Sequence, residues 1–345
     1  MFLVLAALRW RRLAAAVVPA VVLGLAGFGT VVPAANAAKR VSAVPALHGT
    51  ARIALGKTRS IFGNAFAEAP NGSVYYSRGT VVYVVAGTSA PRVAVRAGRR
   101  VVALAANVAD LFVQTGLRVT EYRRSTGGRL RHWTLTSPAP ITSAGLYAVG
   151  GTLWSWTDWA TDSSGFEYAK VSRISITSAA VHVVDKFAYP GDASANSAGL
   201  FFEAQHGTSG YLGHARPSGS TSYRRLAATA VGTPLALAAG RVDLLTFGQH
   251  VRINSYRTTT LALVSSKPVL ASDRSLAGTR LGLLVLAEPC PAVSCASATL
   301  SKLSVSTGAA SGTSHVPGAY LLLSGPAAAV IEVSHGTMYL VRVGP

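Results

Sequence analysis

From about residue 50 onward, apolar residues come in runs of four to eight, each closed by Gly, Ser, Pro or Asn. No stretch of twelve residues or more carries the period of an amphipathic helix, so the pattern predicts strands and turns throughout. In "SAGLYAVGGTLWSWTDWATD" at 143–162, an apolar strand meets the Gly150-Gly151 turn, a second strand follows, and a polar loop ends it. "FEYAKVSRISIT" and "AAVHVVDKF" then predict a third and a fourth strand, which makes a four-stranded meander. Trp154 and Trp156 alternate along the second strand, which places both in one packing layer.

The same order recurs over 101–135, where Gly127-Gly128 joins the last two strands, and again over 234–264. Weaker copies run over 200–230 and from about 275 to 316; the first copy begins near Asn64 and the last near Tyr320. Comparable glycines keep the spacing: Gly79 to Gly116 is 37 residues, Gly165 to Gly207 is 42, and Gly207 to Gly248 is 41. Self-similarity at about 40 residues, with four strands per unit, resembles the β-propeller superfamily. Seven units fit. The last has only three strands, and an orphan strand, "TARIALG" at 50–56, precedes the first. The resemblance therefore implies an all-β, seven-bladed propeller of four-stranded antiparallel blades over 50–345. The N-terminal strand would complete the last blade and leave no open edge. "SRGT" at 77–80 and "SHGT" at 334–337 then become the same turn, between second and third strands, in blades one and seven. Glycine supplies the positive φ such turns need. The WD dipeptide, the kelch glycine pairs and the quinoprotein tryptophan motif do not recur, so the resemblance names no family within the superfamily. The alternative fold is two β-sandwiches in tandem, which would have no closing strand.

The chain before the first strand has a different character. Arg9, Arg11 and Arg12 precede an apolar stretch from Leu13 to Val32, and Ala35-Asn36-Ala37 fits the small-x-small rule of signal peptidase. Residues 1–38 read as an export signal and 39–49 as a linker. Left uncleaved, the apolar run is long enough to anchor the chain in a bilayer. The protein is expected outside the cytoplasm, secreted or held at the wall or membrane. In that compartment Cys290 and Cys295, with four residues between them, are expected to form a local disulfide.

Charge narrows the partners. The net charge is +19, and arginine supplies 26 of the 32 cations. Nine arginines fall between Arg92 and Arg131, against only Asp110 and Glu121. Such a field draws polyanions, and the forked donors of arginine suit phosphate and carboxylate. For an exported chain the expected partner is an anionic envelope polymer or a protein, not nucleic acid. Membrane contact would run only through an uncleaved N-terminal segment. General solubility in a basic, alanine-rich proteome accounts for the charge equally well.

In propellers the turns between second and third strands share a face with the blade-to-blade connections, and that face is the usual binding site. The resemblance places there Arg59, Arg78, Arg99, Arg100, Asp158, Trp159, Asp162, Asp192, His206, His250, Lys267, Asp273, the 290–295 loop and His335. Arg118, Arg123 and Arg124 complete the basic sector of the first two blades. Three histidines on one face could serve as metal ligands or as acid and base. Turns far from the axis sit too far apart for ligands at about 2 Å from a zinc ion, so neither metal nor cofactor is expected. Asp158, Asp162 and Glu167 could hold calcium, with Trp159 as a platform for a sugar ring.

Catalytic signatures are scarce. No G-x-S-x-G elbow occurs, and "GKT" at 56–58 lacks the leading glycine of a phosphate loop because Ala51 stands there. The 13 acidic residues are too dispersed to be paired for glycoside hydrolysis by spacing. The reading that follows is a monomeric binding or scaffold module at the cell envelope, contacting an anionic partner through the arginines of blades one and two. The alternative is an extracellular hydrolase or lyase in the central funnel, with Asp158, Asp162, His206 and His250 as the candidate catalytic groups. A third reading is a structural propeller with no small-molecule partner.

Overall fold

The computed structural model describes residues 47–344, apart from 59–63, 161–166, 179, 189–191, 207–208, 227–233, 248–249, 270–272, 288–297, 317 and 327. The described residues form 28 β-strands and no helix. They build seven four-stranded antiparallel blades, each running from an inner strand at the central channel to an outer edge strand.

Blade one is Phe66–Glu68, Val74–Arg78, Val81–Val85 and Arg92–Arg96. Its second and third strands are joined at the Arg78↔Val81 register by Gly79-Thr80, with Gly79 at φ 61°. Blade two is Ala103–Ala106, Asp110–Thr115, Arg118–Arg123 and Arg129–Thr134. Blade three has longer strands, Ile141–Val149, Thr152–Ala160, Glu167–Ser175 and Val181–Ala188. Blade four is Ala193–Asn196, Gly199–His206, Ser209–Ala215 and Thr221–Arg225, and one pairing, Ala188 with Gln205, joins it to blade three. Blade five is Leu235–Ala238, Arg241–Thr246, Arg252–Arg257 and Leu263–Pro268. Blade six is Asp273–Thr279, Gly282–Ala287, Thr299–Leu303 and Ala310–His315.

Blade seven closes the ring. Ala319–Leu323, Ala329–Ser334 and Thr337–Gly344 are its first three strands, and His48–Lys57 is the fourth. Pairing runs from His48↔Gly344 to Lys57↔Thr337, slightly longer at both ends than the 50–56 expected from sequence. The turn at His335-Gly336, with φ values of 46° and 71°, holds the same place between second and third strands as Gly79-Thr80 in blade one, one residue out of register with it in the shared phrase. The recurrence of "SRGT" and "SHGT" is therefore a turn repeated by architecture. The tandem-sandwich alternative is overturned by this closure.

Alternation along each strand sends one set of side chains to the preceding blade and the other set to the following one. Seven apolar clusters result, one between each pair of neighbouring blades. Val74 and Tyr76 pack towards blade seven, whereas Tyr75 packs towards blade two. Trp154 and Trp156 both lie in the layer between blades three and four, as their spacing predicts. There Trp156 meets Phe187 and Phe202 edge-on, at 5.2 and 6.0 Å between ring centroids. Inner strands are rich in alanine, "ALAA" in blade two and "LALA" in blade five. Small side chains let seven strands converge on the axis and still leave a channel. Cys290 and Cys295 lie outside the described residues, as does the segment read as export signal.

Candidate functional site

Strand direction decides which end of the ring each arginine reaches. Turns between second and third strands and the blade-to-blade connections share one end; the remaining turns share the other. Arg78, Arg99, Arg100 and Arg118 belong to the first end, and all four are exposed. Arg78 donates from Nη2 to the Lys57 carbonyl at 2.9 Å, which ties blade one to the closing strand. His206, His250 and His335 stand at the same end, exposed, on blades four, five and seven. His206 lies edge-on to Tyr211 and Tyr223, with centroids at 5.4 and 5.3 Å. His335 Nδ1 lies 3.0 Å from the Ser334 hydroxyl. Among the described residues, no three His, Cys, Asp or Glu gather as a metal-binding group.

Two residues expected on that face turn inward. Trp159 is 1% exposed; it stacks on Tyr168 at 6.1 Å, with the Lys170 and Lys186 ammonium groups 5.8 and 5.7 Å from its ring. It is a packed residue and offers no open platform to a sugar. Asp158 is buried and accepts a short hydrogen bond from the Ser143 hydroxyl. Asp162 and Arg59 lie outside the described residues.

Arg123, the last residue of the third strand of blade two, and Arg124, in the turn that follows, occupy the opposite end. There they border a groove of about 930 Å³ between blades one and two that reaches to blade three. Arg92 and Arg131 stand on its sides. Its apolar lining includes Tyr75, Val84, Val108, Leu130 and Ile176. The four guanidinium groups differ in what they already hold. Arg124 donates to the Tyr75 hydroxyl at 2.9 Å, to the Asn107 and Val108 carbonyls at 2.7 Å each, and to Asn71 Oδ1 at 2.8 Å. It clasps blade two to blade one, with little donor capacity left. Arg131 pairs with Glu121 at 2.7 Å and lies 5.9 Å over the Trp133 ring. The side chains of Arg92 and Arg123 make no hydrogen bond or ion pair with the described residues, and both are exposed.

Two carboxylates face this basic set. Glu121 is buried, and burial pushes its carboxyl above the usual range. Arg131 opposes that shift, while the neighbouring Asp110 carboxyl reinforces it. The Glu121 carboxyl is therefore the acidic group of this end whose charged form burial disfavours. In sequence Asp110 and Glu121 stand out only as exceptions in a basic stretch. The detectable signal is their place at the start of one strand and the middle of the next, which antiparallel pairing brings together.

The central channel has a volume of about 670 Å³ and walls that are mostly alanine and leucine. Asp192, from the expected face, does reach it. Its Oδ1 accepts from the Ala193 amide at 2.8 Å and its Oδ2 from the Leu235 amide at 3.1 Å, bridging blades four and five. The side chain is exposed to the channel, and desolvation at this inward position pushes its carboxyl upward, against the two amides that hydrogen-bond it. Asp158, His206 and His250, expected from sequence to carry any funnel chemistry, do not line the channel.

No protein-family model matches this chain, and no curated protein matches it. Solved structures do. A chain in the crystal structure of a mitotic checkpoint complex superimposes with a TM-score of 0.57 at 14% identity, covering 93% of this chain and 100% of that one. The β-propeller domain of Myceliophteria thermophila Cps50 (Swd1) gives a TM-score of 0.57 at 12% identity, covering 86% of this chain and 100% of that domain. At such identities the likeness concerns fold alone, and with the closed ring described above it makes this chain a seven-bladed β-propeller.

Proposed function

We propose that this propeller is an exported binding or scaffold module whose first two blades contact an anionic partner at the cell envelope. One observation carries the reading. Arg92 and Arg123, exposed and without partners among the described residues, flank a single groove to which Arg124 and Arg131 add charge. Arginines needed only for solubility would be scattered over the ring. Two free guanidinium groups at one cleft are suited to forked contacts with carboxylate or phosphate oxygens.

The test is retention of the purified chain on wall and membrane fractions of the producing cell, from low to high salt. Retention at low salt that falls steeply as ions displace the arginine contacts supports the reading. The double variant Arg92→Glu with Arg123→Glu should lose most of it, and neither side chain is needed for folding. Retention that ignores both salt and this variant, or none at low salt, refutes it.

A further inference from the structure

The groove between blades one and two is more than a charged patch, and its chemistry narrows the partner. Val108 is 80% exposed and Leu130 is 42% exposed, and both line the groove. Aliphatic side chains left this open are informative when they line one groove along with cations. Tyr75 and Val84, from the layer between blades one and two, and Ile176, from the layer between blades two and three, also line it but are buried, so its open apolar surface is that of Val108 and Leu130. A phosphate-bearing polymer would satisfy the arginines and leave Val108 and Leu130 wet.

The charge is also moderate. Four arginines face Asp110 and Glu121, so the groove carries a net charge near +2, and Arg124 has most of its donors engaged. A dense polyanion would meet the Asp110 carboxylate along with the arginines. A ligand with a few separated negative groups would avoid that repulsion.

Resting on the anionic-partner reading above, we infer that the groove docks an acidic segment of a protein. Its carboxylates would pair with Arg92 and Arg123, and its aliphatic side chains would cover Val108 and Leu130. An extended peptide places alternate side chains on opposite faces. A sequence alternating Glu and Leu can therefore turn its leucines to Val108 and Leu130 while its main chain runs along the groove. Binding would combine burial of apolar area with charge-assisted hydrogen bonds at the edge.

The experiment is fluorescence anisotropy of the purified full chain with three probes: a labelled Glu-Leu-Glu-Leu-Glu peptide, its Glu-Gly-Glu-Gly-Glu counterpart, and labelled polyphosphate. The leucine peptide should bind roughly tenfold or more tightly than the glycine one, the range expected for burying aliphatic side chains. Val108→Ser should weaken the leucine peptide severalfold and leave the glycine peptide unchanged. Arg92→Glu with Arg123→Glu should weaken both peptides, while Arg99→Glu, at the other end of the ring, should weaken neither. A melting temperature unchanged in each variant shows that the ring is intact. Polyphosphate bound as well as or better than the leucine peptide, or indifference to Val108→Ser, overturns the protein-segment inference but leaves the anionic-partner reading standing. If no acidic probe binds, both fall.

Discussion

Asp243 is 1% exposed in the layer between blades five and six. One oxygen accepts from the Ser255 hydroxyl; the other has no hydrogen-bond partner among the described residues. Burial pushes its carboxyl from the usual 3.8 up to about 6, against the opposing pull of Ser255 and Arg241. The folded protein therefore keeps a proton that the unfolded chain releases. The associated stability is fully present below about pH 4 and is lost as pH rises through about 6, with an upper figure of about 3 kcal/mol. Asp243→Asn keeps the shape and abolishes the titration. The variant should melt higher than the parent near pH 8 and close to it near pH 4, a difference that thermal scans across this range would reveal. A parent melting point that changes with pH no differently from the variant would disprove the account. A second residue-scale test concerns the axis. A Cβ built on Gly278 would overlap the Leu237 carbonyl of the neighbouring inner strand. Gly278→Ala should therefore destabilise by about 2 kcal/mol or more, measured by denaturant unfolding, since two backbones must separate. Neither feature is legible in sequence. "RVDLLT" shows an acid in an apolar strand, and only the finished packing shows that the Asp243 face is covered.

At the scale of elements, the closing strand is where sequence pattern and structure agree most closely. A final unit with three strands and an orphan strand before the first unit require each other, because an open propeller exposes two edges. Packing explains the strength of the join. Ile53 and Leu55 enter the cluster shared by blades seven and one. Arg52 donates to both Glu332 oxygens, at 3.2 and 2.6 Å, and lies 3.5 Å over the Tyr339 ring. Leu55→Ala should cost about 2–4 kcal/mol by unfolding measurements, as for other buried leucines. A chain beginning after residue 57 leaves the Thr337–Gly344 strand without its outer neighbour. It should melt lower and self-associate in light scattering, whereas an unchanged monomer would mean that blade seven does not depend on this strand. Element boundaries are less legible for the site. Arg118 and Arg123 stand five residues apart and read as one basic cluster. They are the two ends of a single strand about 17 Å long, so one faces each end of the ring. A charge run in sequence carries no direction until strand polarity is known.

For the molecule as a whole, the consequence lies in how acidity tunes the groove. The net charge of +19 favours any anion at long range, so specificity has to come from local groups. Asp110 on one strand and Glu121 on the next face Arg123 and Arg131, with Arg92 across the groove and Arg124 at its end. Burial holds the Glu121 carboxyl above its usual range, so acidification neutralises Glu121 sooner than it neutralises an exposed acidic peptide. The groove then gains about one positive charge while the ligand keeps its own. Binding of the Glu-Leu-Glu-Leu-Glu peptide should tighten as pH falls over the range in which the peptide's own carboxylates stay ionised, and by more at low salt. Glu121→Gln, which can still hydrogen-bond Arg131, should bind tightly at both ends of that range and flatten the profile. His132 is the competing titration. It sits on the other face of the outer strand, and both its desolvation and the positive charges of Arg118 and Arg129 hold it below the ordinary histidine value. His132→Asn should leave the profile intact if Glu121 is the sensor. A profile that flattens with His132→Asn and persists with Glu121→Gln would instead assign the tuning to the outer surface of blade two.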